Sequence, residues 1–237
     1  MMVKKVAIAI FVYILSTSCY SASDLGVTLL DADVDVSNTV SLQRGARLFV
    51  NYCVSCHSAE FMRYNRMAKD LDLSLELVKD NLMFASDKVG DTMTIAMTPE
   101  DSEQWFGVRP PDLSVIARSK GVDYLYSFLN GFYLDDTRPT GVNNLYYPNT
   151  AMPHVLWDLQ GFAEKNHDEL TVPEASSGYM TVTEYQQATR DLVTFLDYLG
   201  EPAKLVRYKI GFWVISFLLV LFLITCLLKR EYWRDVH

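Results

Sequence analysis

Apolar positions concentrate at the two ends of this 237-residue chain. At the amino end, Lys4 and Lys5 precede a continuous apolar run over Val6–Leu15, and small residues are frequent over Ser16–Ser23. This order is typical of a secretory signal, whereas an uncleaved anchor helix would need a longer apolar run. We predict a signal peptide over residues 1–23, with cleavage after Ser23.

At the carboxyl end, Ile210–Leu228 contains no charged residue and has three basic residues on each side. At about 1.5 Å per residue, this run reaches roughly 30 Å, the thickness of one hydrocarbon core. Tyr232 and Trp233 follow at the position of interfacial anchors. We predict a single transmembrane anchor over 204–229 and a cytoplasmic tail over 230–237, because the signal exports the body that precedes them.

Between these ends, apolar residues recur mostly at helical spacing. Leu42, Ala46, Phe49 and Cys53 fall four, three and four residues apart, which predicts a helix with one apolar face that begins near Ser41. Strand signals are sparse. The exported body, residues 24–203, is therefore predicted to be mainly α.

Further along the chain, the pattern alternates between helices and one long loop. Helices are predicted over Val122–Phe132 and Thr183–Leu199, and Asp112 is predicted to cap a short helix. Turn residues dominate Leu134–Pro153, a loop of a length that is unusual without a function. We interpret this loop as the wrapping of one face of a cofactor.

Cys53 and Cys56 lie three residues apart, and His57 follows directly. This C-x-x-C-H pattern matches the attachment motif of a c-type haem, in which each thiol forms a thioether and the imidazole coordinates iron. A redox dithiol would need a βαβ surround, and a zinc site would need a second ligand pair. We predict one covalent haem c, with His57 as an iron ligand.

The identity of the second axial ligand separates electron transfer from gas binding or catalysis. Met152 lies in the long loop and is followed by Pro153, which makes it the favoured candidate. Met93 and Met97 lie in an irregular segment and remain alternatives. His154 is a further alternative, although it is too close to Met152 for both to face iron.

The exported body is strongly acidic. Residues 24–203 contain 27 acidic and 13 basic residues, a formal charge of −14, against −8 for the whole chain. Such a surface repels nucleic acid and attracts cationic partners. We expect a cationic protein partner, with Glu100, Asp101, Glu103, Asp135 and Asp136 as candidate contacts.

Several blocks taken together resemble the cytochrome c1 family of bacterial type, the haem subunit of the cytochrome bc1 complex (quinol:cytochrome c oxidoreductase). The most discriminating block is Arg109–Arg118, since ordinary small c-type cytochromes lack it. The other blocks are Arg44-Gly45, Cys53–Ser58 with Phe61 and Tyr64, Ala151–Pro153 and the C-terminal anchor. One departure is His154, where many family members have a further proline.

The resemblance implies a c-type cytochrome fold with long loop insertions and one C-terminal transmembrane helix. It also implies roles for residues that spacing does not identify. His57 and Met152 would be the axial ligands, and Pro110 and Pro111 would pack along the haem. Arg118 and Tyr124 would contact the haem propionates, with Lys120 as the alternative to Arg118.

The function implied is that of an electron carrier with no catalysis of its own. It would pass electrons from the Rieske iron–sulfur protein to a soluble c-type cytochrome, beside cytochrome b in a dimeric complex. The chain would cross the bacterial inner membrane once, with the haem domain in the periplasm and in contact with lipid only through its anchor. The alternatives are a free-standing anchored cytochrome c that donates to a terminal oxidase, a haem protein with an open sixth site, and an assembly scaffold.

Overall fold

A computed structural model describes residues 27–166, 169–174 and 177–234 of the chain. The predicted signal peptide, residues 235–237 and His167 lie outside the described residues. Helices dominate, as predicted. They are α1 (Thr39–Leu48), a π-helical turn (Phe49–Cys53), α2 (Tyr64–Asp70), α3 (Leu75–Asn81), α4 (Pro99–Phe106), α5 (Ile116–Lys120), α6 (Val122–Asn130), α7 (Trp157–Gln160), α8 (Val182–Gly200) and α9 (Lys204–Tyr232).

Short antiparallel ribbons connect these helices. They pair β1 (Ala59–Arg63) with β2 (Thr92–Met93), β3 (Phe132–Leu134) with β4 (Val142–Asn144), and β5 (Glu164–Asn166) with β6 (Glu169–Thr171). The β3–β4 register places Phe132 opposite Asn144 and Leu134 opposite Val142. The loop predicted over Leu134–Pro153 is therefore partly a hairpin.

The helix α1 delivers the attachment motif, as its apolar pattern predicted. Leu42, Ala46, Phe49 and Cys53 are all buried, and the last turn widens into a π-helix that ends at Cys53. The predicted start was wrong. Asn38 caps α1 by accepting from the Ser41 backbone N–H at 3.1 Å, whereas the Ser41 hydroxyl donates to Asp191 at 2.6 Å.

Three other helix boundaries differ from the predicted ones. Phe132 begins β3 because α6 ends at Asn130. Thr181 rather than a later residue caps α8, through a reciprocal capping box with Glu184. Asp112 does not cap α5, because its carboxylate is engaged by the attachment segment, as described below.

Helices α1 and α8 cross in close contact. At this crossing a Cβ atom on Gly45 would meet the Asp191 carbonyl oxygen and would lie 2.7 Å from the Phe195 Cβ. Asp191 itself is only 2% exposed. Its carboxylate accepts from Arg44 through two nitrogens, at 2.5 and 2.9 Å, and from Ser41. A buried carboxylate needs such partners, so the polar contacts fix the helices at the point where Gly45 lets them approach.

The C-terminal helix α9 begins directly after the globular part of the chain. Among the described residues, Val206–Tyr232 is the one helix long and apolar enough to cross a membrane, and its side chains are almost all exposed. Lys204 pairs with Asp197 at 2.9 Å and Arg207 pairs with Glu201 at 2.6 Å. These ion pairs connect the start of α9 to the end of α8.

Substituting Gly45→Ala should destabilise the protein by about 1–3 kcal/mol. The added methyl group forces α1 and α8 apart, and this cost exceeds the gain of about 1 kcal/mol in helix propensity. Urea or thermal unfolding of the full chain in detergent, followed by circular dichroism, measures the change. Gly90→Ala is the matched control because nothing lies within 4 Å of its Cβ position. Equal stability of the two variants would contradict the close-crossing account.

Candidate haem site

The attachment segment is a compact turn at the end of α1. Cys53 is buried at the end of the π-helix, and the Cys53 carbonyl accepts from the backbone N–H groups of Cys56 at 3.0 Å and His57 at 2.8 Å. Cys56 is half-buried, and neither cysteine forms a disulfide with a described residue. These backbone bonds bring the main chain of His57 close to that of Cys53.

His57 is oriented by a hydrogen bond to the backbone of a distant segment. Its Nδ1 lies 2.8 Å from the Pro111 carbonyl oxygen. A carbonyl only accepts, so Nδ1 carries the proton and Nε2 keeps its lone pair for a metal. Burial lowers the pKa of His57, although the Pro111 carbonyl and the Asp112 charge act to raise it. The neutral imidazole required of a metal ligand is thus favoured.

The Asp112 carboxylate connects the proline segment, Pro110–Ser114, to the attachment segment, Cys53–Glu60. The sequence pattern did not predict this role. Its Oδ2 accepts from the Ser58 hydroxyl at 2.7 Å and the Glu60 backbone N–H at 2.9 Å. Its Oδ1 accepts from the Ser114 backbone N–H at 2.8 Å. Burial acts to raise the pKa of Asp112, but the hydrogen bonds from Ser114, Glu60 and Ser58 outweigh it and hold the pKa below its ordinary value. The Asp112 carboxylate therefore holds the proline segment against the attachment segment.

The surroundings of Cys53 suit an uncharged sulfur atom. Burial, and secondarily the neighbouring Cys56, raise the pKa of the Cys53 thiol to about 12, so a thiolate is strongly disfavoured there. A metal-binding thiolate would need the opposite environment. A thioether carries no charge, so the Cys53 sulfur atom fits covalent haem attachment better than a zinc site.

The methionines that follow the motif divide into two groups. Four of them are core residues whose sulfur atoms are enclosed by protein: Met62, Met67, Met83 and Met93. Met97 and Met152 are partly exposed, and Met180 packs against the core. Burial in β2 removes Met93 from the candidates for an axial ligand, so Met152 and Met97 remain.

The segment that carries Met152 is stabilised by buried amide side chains. The Asn143 side-chain oxygen accepts from the backbone N–H groups of Asn144 at 2.9 Å and Asn149 at 2.8 Å. Asn144 is fully buried and donates to the Phe128 carbonyl at 2.7 Å. The Met152 backbone N–H donates to the Thr150 hydroxyl at 3.2 Å. The asparagines that indicated turns in the sequence are thus the polar core of this loop.

The propionate candidates lie on α5 and α6. Arg118 is exposed and forms no ion pair with any described residue, while its Cγ would lie 3.1 Å from a Cβ on Gly200. The Lys120 ammonium lies 6.0 Å from the centroid of the Tyr124 ring, which in turn stacks on Phe128. The structure therefore brings Lys120 to Tyr124 and leaves Arg118 with a free charge on the adjacent helix.

Pro110 is half-buried, and Pro111 is exposed beside His57.

His154 is not a surface residue. Its ring is 5% exposed and stacks on Phe132 with the centroids 4.9 Å apart. Two cysteine sulfurs, a neutral imidazole with a free nitrogen, a partly exposed thioether and a cation are the kinds of groups that hold a haem. The chain thus belongs to the class of predominantly helical haem-binding domains that are followed by a helix long and apolar enough to cross a membrane.

A sequence model of the Cytochrome C1 family matches residues 33–236, so the chain belongs to the cytochrome c1 family. The cytochrome c1 of Allochromatium vinosum is 45% identical over 99% of this chain and 100% of that protein. A Nitrosomonas europaea protein named ammonia monooxygenase gamma subunit is 44% identical over 89% of this chain and 90% of its own length. A chain of a hyperthermophilic respiratory complex III aligns over 100% of this chain and 99% of its own length, with 15% identity and a TM-score of 0.49.

Family membership confirms the predicted class of function. The protein is the electron-transfer subunit of a cytochrome bc1 complex, it uses haem, and it is membrane-associated. The bacterial relative with nearly complete coverage in both chains agrees with the bacterial type that the sequence resembled.

Replacing Asp112 by asparagine should weaken the connection between the proline segment and the attachment segment. The amide nitrogen must face at least one of the donors that Asp112 now accepts from, and the remaining hydrogen bonds lose their charged acceptor, with an expected cost of about 2–3 kcal/mol. Thermal unfolding of the haem-loaded full chain measures this loss. Asp87→Asn, an exposed loop carboxylate, is the control. A variant as stable as this control would show that Asp112 does not hold the segments together.

Proposed function

We propose that the chain carries one covalent haem c, attached through Cys53 and Cys56 and ligated by His57 and Met152. It would accept an electron from a Rieske iron–sulfur protein and transfer it to a soluble c-type cytochrome. The observation that carries this proposal is the His57 to Pro111 hydrogen bond, which holds the proton on Nδ1 and leaves the lone pair of Nε2 available to a metal. The Rieske and cytochrome b subunits would be its partners within a dimeric complex.

The bound haem supplies an iron that changes its oxidation state by one electron. The chain's own residues control its position and surroundings. His57 presents a neutral nitrogen on a ring held by Pro111, and Met152 presents a soft sulfur of the kind that raises the reduction potential. Arg118 and Lys120 provide positive charge for the propionates, and Tyr124 provides a hydroxyl within the same group of residues. The protein forms and breaks no substrate bond.

The support for Met152 over Met97 lies in the segment around it. Met152 follows a hairpin whose interior is fixed by Asn143 and Asn144, and Pro153 restricts the next backbone step. Met97 precedes the N-cap of α4, with Thr98 as the capping residue. An axial ligand must be held rigidly to keep the potential constant, and the Met152 loop offers that rigidity.

The proposed topology places the haem domain, residues 24–203, in the periplasm. The anchor, 204–229, would cross the inner membrane once and the tail, 230–237, would remain in the cytoplasm. The support is the exposed apolar helix α9 together with the amino-terminal signal pattern. Basic residues on both flanks of the anchor do not themselves choose an orientation.

The acidic body supports a cationic acceptor. Glu100, Glu103 and Asp136 are exposed. Asp101 and Asp135 are engaged locally, because Asp101 accepts from the Thr98 hydroxyl at 2.8 Å and Asp135 from Thr137 at 2.6 Å. The side chains of these two residues stabilise a helix cap and a turn. The exposed three are therefore the better candidates for contact with the acceptor.

Met152→Ala should open the sixth coordination site. Reduced protein should then bind carbon monoxide, lose the methionine-to-iron charge-transfer band and show a potential lower by on the order of 0.1 V, within the span of about 0.8 V that axial ligands control. Spectroscopy and a redox titration of the purified complex measure these changes. Met97→Ala should leave all three unchanged. The reverse result would assign the axial position to Met97.

Neutralising the exposed acidic residues should weaken the salt dependence of electron transfer to the acceptor. Glu100→Gln, Glu103→Gln and Asp136→Asn together remove three negative charges from the candidate surface. Because steering is screened by salt, the slope of the reduction rate against ionic strength should fall. Glu76→Gln, Asp80→Asn and Asp87→Asn change the net charge equally elsewhere and are the control. Equal slopes for the two triple variants would contradict the proposal that Glu100, Glu103 and Asp136 contact the acceptor.

A further inference from the structure

The segment after Met152 contains an unusual group of buried polar atoms. In the part of the chain that the structure describes, Nε2 of His154, Oδ1 of Asp158 and Oε1 of Gln160 are buried without a hydrogen-bond partner. Such atoms are rare in folded proteins, because each costs the full desolvation of a polar group. The three belong to residues within seven positions of one another in the sequence, and each can form a hydrogen bond with a polar ligand.

The three groups are neighbours. The Gln160 side chain and the Gly161 backbone both lie close enough to the His154 ring to raise its pKa, and the Asp158 charge acts in the same direction. The Gln160 oxygen and the His154 Nε2 nevertheless do not form a direct hydrogen bond. Two polar atoms that are close but not bonded are the usual partners of a bridging water, which needs two to four such groups.

The His154 ring is fixed in place. It is 5% exposed and stacks almost parallel on Phe132, at an angle of 10°. Its buried Nε2, which has no partner among the described residues, is therefore held in a position where it can bond to a water.

Asp158 also connects this group to the attachment segment. Its Oδ2 accepts from the Tyr52 hydroxyl at 2.9 Å, across 106 residues of sequence. Burial, and then the hydrogen bond to Asp158, raise the pKa of Tyr52 to about 12, which keeps the donating proton on the phenol. Tyr52 immediately precedes Cys53, and Asp158 follows Met152 by six residues. The hydrogen bond therefore joins the two segments that supply opposite sides of the site.

The backbone around Asp158 is fixed independently of this bond. The Asp158 carbonyl accepts from the Tyr179 N–H at 2.8 Å, and the Leu159 carbonyl accepts from the Met180 N–H at 3.0 Å. A Cβ on Gly178 would collide with the Leu159 carbonyl. Because α7 is anchored here, Asp158 offers Tyr52 an acceptor in a fixed position, on the chain six residues after Met152.

We propose that His154, Asp158 and Gln160 bind an internal water, and that this cluster, through the hydrogen bond of Asp158 to Tyr52, positions Met152 relative to the attachment helix. The inference rests on the proposed function, since it takes Met152 as the axial ligand. Tyr52, Asp158, His154 and Gln160 are positioning residues that act through the loop and do not touch the iron.

The test uses the intact complex purified in mild detergent, with carbon monoxide as the probe. Tyr52→Phe removes one oxygen atom, Asp158→Leu removes the acceptor, and Asp158→Asn retains an oxygen for Tyr52. Transient release of Met152 should make carbon monoxide bind to the reduced form about tenfold to hundredfold faster in Tyr52→Phe and Asp158→Leu, the range expected for the loss of one hydrogen bond to a charged group. The methionine-to-iron charge-transfer band should weaken in parallel, and Asp158→Asn should recover most of both properties.

Tyr179→Phe is the matched control. Its ring is 88% exposed, and its backbone contact with Asp158 survives the substitution. If Tyr52→Phe and Asp158→Leu are indistinguishable from this control while Met152→Ala abolishes the band, the positioning role is overturned and the axial assignment stands. If Met152→Ala also leaves the band intact, both fail together. Should Asp158→Leu fail to mature, Tyr52→Phe decides alone.

The water itself is tested by a high-resolution structure of the complex. Density within hydrogen-bond distance of the His154 Nε2 and the Gln160 Oε1 is expected. Direct contact between these two atoms, with no density between them, would overturn the water site whatever the spectroscopic variants show.

Discussion

The close crossing of α1 and α8 is the contact on which the haem site depends. Gly45 removes the side chain at the contact point, and Asp191, buried in α8, holds α1 through Arg44 and Ser41. The next turn of α1 widens into a π-helix and ends at Cys53. The position and direction of the attachment motif are therefore set by a helix pair whose geometry tolerates no methyl group at Gly45.

Two carboxylates connect the end of α1 to segments that are distant in the sequence. Asp112 bonds the proline segment to Ser58 and Glu60, and Asp158 bonds the segment after Met152 to Tyr52. Charged acceptors make stronger hydrogen bonds than neutral ones, which suits contacts that must hold loops rather than helices. The described residues contain no disulfide. Hydrogen-bonded carboxylates and the proposed thioether links would share the work of holding the loops.

Local signals in the sequence were sufficient for much of this structure. The apolar face of α1 and the amphipathic pattern of α8 depend on neighbours within a few residues, and both are confirmed by the structure. The haem attachment that the spacing of Cys53, Cys56 and His57 predicts stays a prediction. The helix α4 could have been predicted from Thr98 followed by Pro99, which is an N-cap and N1 signal. The roles of Asp112, Tyr52 and Asp158 could not, because their partners are 52 to 106 residues away and nothing local distinguishes them from turn or surface residues. The axial role of Met152 remains a prediction from its loop and from the family resemblance.

The central claim is that this chain works as the haem subunit of a quinol-oxidising complex rather than as a free carrier. The most direct measurement is a reduced-minus-oxidised spectrum of the material that purifies with the affinity-tagged full chain from its own membranes in mild detergent. The account predicts b-type and c-type haem signals together, with quinol:cytochrome c oxidoreductase activity in the same fraction. A c-type signal alone, under conditions that keep complexes intact, would contradict it and would indicate a free-standing membrane cytochrome.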